Sequence, residues 1–215
     1  MLTISNLSKR YGNKQVLREL SASFAEGRVH GIIGLNGAGK TTLFQCISGL
    51  LEYTGSVQYS KPGPLKNQIG YVPAEPYFFP RITGGEYLAF LAHAKGIKGA
   101  ELPGSDTFEL PLREYIEHYS TGMKRKLAIQ GAMIGAADLY ILDEPFNGVD
   151  IKSNLLIKQR MEELRAQGKT VLFSSHIISS LTEVCDEIHL LKDGRIARHY
   201  LPADYPAVES DLMAL

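Results

Sequence analysis

The segment from Val29 to Leu51 constrains the fold more than any other: VHGII, then GLNGAGK, then TTLFQCISGLL. A short apolar run reads as a buried strand and the last segment as a helix, so the glycine-rich residues between them form a strand-to-helix loop. Gly34 to Thr41 fit GxxxxGK[ST] at every defined position. The glycines permit a tight turn whose amides point inward at an anion, Lys40 adds a positive charge, and the Thr41 hydroxyl is a hard oxygen ligand. Together they have the chemistry to hold a polyphosphate. The expected nucleotide contacts are Gly34, Leu35, Asn36, Gly37, Ala38, Gly39, Lys40, Thr41 and Thr42, with Thr41 on Mg2+.

A second constellation completes the first. Leu139 to Leu142 is a compact apolar strand that delivers Asp143 and Glu144 at its end, where open α/β sheets place their ligands. Asp143 is expected to hold Mg2+, directly or through water, and Glu144 to face the γ-phosphate as general base or water-orienting group. Solvated acids that merely terminate a strand are the bland alternative, and the complete phosphate loop outweighs it.

Other apolar strands lie at Gln68 to Val72 and Val171 to Ser174. Ile151 to Gln167 carries Ile157, Met161 and Leu164 at helical spacing and stops at Gly168, so the region from 139 to 174 reads as a βαβ unit. Leu2 to Leu7 and Val16 to Phe24 flank the turn-like Tyr11-Gly12-Asn13-Lys14 and predict an antiparallel N-terminal sheet. From Pro76 to Ser120 the pattern is mostly helical but broken by LPGSDTFELP. The expected fold is α/β: a P-loop NTPase core with a mostly parallel sheet, an N-terminal antiparallel β subdomain and a short helical insertion at about 76–135, all in one domain of 1–215.

In YSTGMKRK, Ser120 has N-cap chemistry and Gly122 lets a ligand approach the backbone at a helix start that favours anions. Lys124, Arg125 and Lys126 read as a solvated face. A net charge of zero from 23 basic and 23 acidic residues argues against a general nucleic-acid footprint. Cys46 and Cys185 sit in apolar contexts without CxxC spacing and read as small core residues, which suits a reducing cytosol. His30, His93, His118, His189 and His199 show no metal-ligand spacing and read as structural or exposed. No signal pattern opens the chain, and no run approaches the ~18 apolar residues of a membrane span.

In this order the pieces resemble the ATP-binding subunit of an ABC transporter over nearly the whole chain. GLNGAGKT is similar to the family's Walker A motif, LYILDEP to its Walker B motif and YSTGMKRK to its signature. Asn147-Gly148-Val149-Asp150 resembles the D-loop, which makes Asp150 a site residue, and His176 in LFSSHII looks like the switch histidine. The resemblance implies ATP and Mg2+ as cofactors and Glu144, His176 and Lys40 as the catalytic set. It further implies two nucleotide domains facing head to tail, with Ser120, Thr121, Gly122 and Met123 of one closing on the γ-phosphate held by the other. Tyr11 resembles the aromatic that stacks on adenine. The implied partners are a second copy or related ATP-binding subunit and a transmembrane permease. The chain would then be cytoplasmic, peripheral on the cytoplasmic face of the cell membrane, with no nucleic acid expected.

Two departures bear on mechanism. Where the family places a lid-loop glutamine, this chain has Ala74, whose methyl cannot ligate a metal; the contact is expected to pass to water rather than to Glu75, because adjacent residues point in different directions. The signature has Thr121 and Met123 in place of a glycine and a glutamine, a YSxGM form similar to that of cassettes serving separate membrane subunits in export. The insertion between Ala74 and Ser120 reads as shorter than the family's, which predicts a reduced docking surface, and the end soon after KDGRIARHY predicts no sizeable regulatory domain. The runner-up is a soluble ABC-type ATPase acting on ribosomes or DNA. A small-molecule kinase would not need YSTGM or the His176 segment, and a silent binding module is disfavoured by Lys40, Thr41, Asp143, Glu144 and His176.

Overall fold

In the computed structural model, which describes residues 1–97, 108–135 and 137–214, the apolar runs become the strands of two sheets. β1 (Leu2–Tyr11) and β2 (Lys14–Phe24) form a hairpin in which Tyr11 pairs with Lys14 across Gly12 and Asn13. β3 (Val29–Ile33) runs into the glycine-rich loop and α1 (Lys40–Ile47). β4 (Thr54–Tyr59) then pairs antiparallel with β1, giving a three-stranded sheet in the order β2-β1-β4. β4 was not foreseen, because TGSVQY is short and half polar.

The second sheet gathers β5 (Ile69–Val72), β6 (Leu139–Leu142), β7 (Thr170–Ser174), β8 (Glu187–Lys192) and β9 (Arg195–Tyr200) around β3, in the order β5-β6-β7-β3-β8-β9. All neighbours are parallel except β8 and β9, which form an antiparallel hairpin. The expected α/β class is therefore what the chain adopts, and the hairpin β8–β9 is an addition to it. The sequence reading ended the sheet at Ser174; in β9 most side chains are exposed, so its apolar signal is weak.

The parallel strands are buried on both faces, and their residues divide by alternation between two cores. Tyr140, Leu142, Val171 and Phe173 face a core shared with α4 (Ile151–Ala166), α5 (Ile178–Thr182) and α6 (Pro206–Met213). Leu139, Ile141, Leu172 and Ile32 face the antiparallel sheet and α1, packing with Leu2, Ile4, Phe24 and Phe44. Each such side chain, fully removed from water, contributes roughly 1.5–3 kcal/mol. Because β3 is central and buried on both faces, its C-terminal end is a rigid platform for the loop that follows.

Between β5 and β6 lie α2 (Gly84–Ala94) and α3 (Thr121–Met133). α2 starts with a capping box in which Thr83 and Glu86 satisfy each other's backbone amides. The two helices share a small core of Leu88, Ala92, Ile116, Tyr119, Leu127 and Ile134. Of the break LPGSDTFELP, residues 102–107 fall outside the described residues. Among the described residues, no helix is long and apolar enough to cross a membrane.

One expectation fails here. Arg125 is not part of a solvated face: it is 5% exposed, and its Nη1 donates to the Pro73 carbonyl at 3.0 Å. The helix pitch turns position 125 toward the sheet while Lys124 and Lys126 stay half-buried at its flanks. Burial pushes the Arg125 guanidinium below its usual range, an effect opposed by the negative charges of Asp143, Glu144 and Glu75.

Candidate functional site

The glycine-rich loop owes its shape to two positions. A side chain on Gly34 would place its Cβ 2.4 Å from the Leu191 carbonyl oxygen, so the chain can pass β8 only with no side chain there. Gly39, the residue before α1, has φ +108, a conformation that L side chains rarely adopt. With no acidic residue in its first turn, α1 opens on backbone amides and the Lys40 ammonium, both suited to anions. Leu35, Asn36 and Gly37 are exposed, Ala38 is half-buried, and Thr41 is exposed beside half-buried Thr42 at the helix start.

Lys40 is 8% exposed and donates from Nζ to the Gly34 carbonyl at 2.8 Å, folding back over its own loop. The same ammonium lies 3.8 Å from Glu144 Oε1. The other carboxylate oxygen of Glu144 is 2.8 Å from His176 Nδ1. Glu144 is thus held between a cation and an imidazole, at the C-terminal ends of β3, β6 and β7. Its φ of +48 is left-handed, a strain of order 1 kcal/mol or more that non-glycine residues keep at sites where side-chain aim matters.

Asp143 is wholly buried, and its backbone N–H donates to the Val72 carbonyl at 2.9 Å. Ser174 couples the two acids: its hydroxyl donates to Asp143 Oδ1 at 2.6 Å and accepts from the Glu144 amide at 2.9 Å. Asp143 Oδ2 is buried with no hydrogen-bond partner among the described residues. A buried carboxylate oxygen without a partner is costly, and a hard cation is the ligand that offsets it. The carboxylate of Asp143 therefore fits a hard cation such as Mg2+. Sequence reasoning missed Ser174; the only available signal was a serine pair closing the otherwise apolar strand VLFSS.

The signature residues sit elsewhere. Ser120 caps α3 by accepting from the Met123 amide at 3.2 Å. Gly122 is buried against the segment Gly148–Val149, where a Cβ would stand 3.5 Å from the Gly148 oxygen and 3.7 Å from Val149 Cα. Those are ordinary van der Waals distances, so nothing within this chain requires glycine at 122. Asp150 caps α4, accepting from the Ser153 amide at 2.9 Å and its hydroxyl at 2.7 Å, which holds the Asp150 carboxyl below its usual range. Tyr11 is 47% exposed beside the hairpin turn, with the Lys9 ammonium 5.3 Å from its ring centroid.

Residues 17–147, more than half of the chain, match the model of the family described as ABC transporter. This chain belongs to the ABC transporter family. Family membership makes it an ATP-binding subunit and an ATPase. It is 30% identical over 217 residues to the SkfA peptide export ATP-binding protein SkfE of Bacillus subtilis, covering 94% of this chain and 90% of that relative. Among solved structures, an ATP binding subunit of an ABC transporter superposes with a TM-score of 0.87 at 31% identity, covering 100% of this chain and 95% of the other. A dimeric ATP-binding cassette in a post-hydrolysis state, bound to ADP and Pi, has a TM-score of 0.83 at 23% identity over 94% of this chain and 99% of its own, and so shares the fold. The match places the Lys40 loop, Asp143 and Glu144 inside the segment that defines the family, whereas His176 lies beyond it.

Proposed function

We propose that this ABC transporter subunit dimerises around two ATP molecules, hydrolyses them to ADP and phosphate, and drives a separate transmembrane permease in the direction of export. The observation that carries the reading is the Lys40–Glu144–His176 set beside the phosphate loop, together with the partnerless buried oxygen of Asp143. Residues 1–215 act as one ATP-binding domain, with about 76–135 as its helical insertion.

Each residue has one task. The amides from Gly34 to Gly39 and at Lys40, Thr41 and Thr42 bind phosphate oxygens, Lys40 neutralises the β- and γ-phosphates, and Tyr11 stacks on adenine. Thr41 and Asp143 hold Mg2+, which when bound supplies charge neutralisation on the phosphates. Glu144 accepts a proton from the attacking water as its oxygen bonds to the γ-phosphorus and the bond to the bridging oxygen of ADP breaks. His176 holds the Glu144 carboxylate in place.

Ser120, Thr121, Gly122 and Met123 serve the ATP of the second subunit, and Asp150 sets the D-loop between the two. The freedom to place a Cβ at Gly122 supports this, since glycine there answers to something outside the chain. For the permease, Tyr77, Phe79 and Phe90 support docking: they are 75%, 48% and 49% exposed, and Phe79 stacks edge to face on both Tyr77 and Phe90. Three exposed aromatics in contact form a patch that soluble surfaces rarely leave uncovered. The export direction rests on the YSTGM signature and on likeness to a peptide export protein. Attachment to a permease would set the subunit on the cytoplasmic face of the membrane.

The test uses Glu144→Gln, which keeps the shape of the side chain and removes the base. With ATP and Mg2+ this variant should sediment as a dimer and turn over ATP slowly, and the wild type should hydrolyse faster when a co-purified permease is added. A monomer under every condition would overturn the split site; stimulation by ribosomes or DNA instead of a permease would overturn the transport reading.

A further inference from the structure

The face of the large sheet that looks toward the antiparallel sheet gathers three buried titratable side chains at one place. Register pairs His30 on β3 with Glu187 on β8, and Ile32 with His189, so alternation puts His30, Glu187 and His189 on the same buried face. They are 0%, 8% and 4% exposed. His30 Nδ1 lies 3.4 Å from Glu187 Oε2, His189 Nε2 lies 3.8 Å from the same oxygen, and the three atoms are all within 4.8 Å of one another.

The tautomers make this grouping need a ligand. His30 Nε2 is 2.9 Å from the Ala25 carbonyl, an acceptor only, so that nitrogen carries the hydrogen and Nδ1 presents a lone pair. A lone pair then faces a carboxylate oxygen in a dry site. His30 Nδ1 and His189 Nε2 are both buried without a hydrogen-bond partner among the described residues. An electrophile shared by the three atoms removes the conflict.

We propose that His30, Glu187 and His189 form a structural site for a divalent transition ion of borderline softness, Zn2+ in the first instance. Zinc bonds to nitrogen and oxygen run about 2.0–2.2 Å, so tetrahedral ligands stand roughly 3.3–3.6 Å apart, close to the separations around Glu187 Oε2. The outer supports are present as well. Ala25 orients the His30 ring, Arg28 takes the other Glu187 oxygen, and Oε2, which has two lone pairs, can meet the ion as well as His199. His199 stands with Nε2 3.2 Å from Oε2 and its ring stacked on His189, closing the exposed side, while Phe24 packs edge-on to both buried rings. Asp186, the other nearby acid, is occupied by the Val29 amide and Arg165.

The ion would staple the hairpin β8–β9 to the strand that carries the phosphate loop. His30 is four residues before Gly34, about 13 Å along a strand, so this site is distinct from that of ATP.

The test is metal content and stability of the EDTA-stripped full chain after dialysis against Zn2+ or Co2+ without nucleotide. One Zn2+ per chain, a Zn2+-dependent rise in Tm, and visible absorption of tetrahedral Co2+ are expected. Glu187→Gln and His189→Phe should each weaken uptake by about 10²-fold or more, whereas His176→Ala should take up the ion as the wild type does. Uptake lost in His176→Ala would assign the metal to the ATP site and overturn the proposal. If the cluster variants do not fold, the wild type alone decides: X-ray absorption at the zinc edge must show two or more imidazoles with oxygen, and a wild type that binds no Zn2+ refutes the site.

Discussion

His176 Nδ1 stands 2.8 Å from one carboxylate oxygen of Glu144, and the ammonium of Lys40 stands 3.8 Å from the other. The three residues lie in the segments that follow three neighbouring strands, β3, β6 and β7, and no two are closer than 32 positions in sequence. The imidazole orients the carboxylate, and the lysine ties it to the phosphate loop. Removing the base and removing its holder should therefore have different kinetic signatures.

Glu144→Gln should lower kcat by about 10²–10⁴-fold with ATP binding retained, because only the proton acceptor is lost. Steady-state hydrolysis beside equilibrium binding of ATP checks it; loss of binding in proportion to turnover would contradict the assignment.

His176→Ala should lower kcat by up to about 10²-fold, the scale of a misplaced catalytic group. Since His176 is 52% exposed, its loss should leave Tm within a degree or two. A large drop in Tm would mean that the residue holds the fold and not the carboxylate.

Arg125 ties α3 to the lid loop through the Pro73 carbonyl, under the opposing influence of Asp143, Glu144 and Glu75. Arg125→Met keeps much of the volume and should destabilise the fold by about 1.5–3 kcal/mol, the worth of a charged hydrogen bond. Denaturant unfolding measures it, and an unchanged midpoint would show the buried guanidinium to be neutral for stability.

Ala74 is half-buried in the same lid loop. Ala74→Gln introduces an amide oxygen able to reach metal or water, and should change the turnover rate or its Mg2+ dependence. Identical kinetics in both proteins would remove the position from the mechanism.

Asp138 accepts from Lys169 at 2.8 Å and from Lys61 at 2.9 Å, and these bonds, Lys169 first, hold its carboxyl below the usual range. A depressed folded pKa contributes stability above the unfolded value of about 3.9, and that stability is lost as pH falls through the folded value. Asp138→Asn should therefore cost up to about 1 kcal/mol at pH 7 and progressively less in acid, because the pair is partly exposed. Unfolding at pH 7 and pH 3 checks the sign.

The phosphate loop, the acid pair and the helix 151–166 were legible in the sequence because their signals are local: a glycine pattern between strand and helix, an apolar run ending in carboxylates, a 3.6-residue period ending at Gly168. Local signals survive without tertiary contacts. The long-range relations were not legible. Ser174 bridges Asp143 and Glu144 only because β6 and β7 are neighbours, and Arg125 is buried only because α3 lies against the lid loop. His30 and His189, 159 positions apart, meet through the register of β3 with β8. The chain by itself determined which residues can bind a phosphate; packing decided which side chains share a dry space, since the pairing of distant strands is set by the whole core and by no single stretch of it.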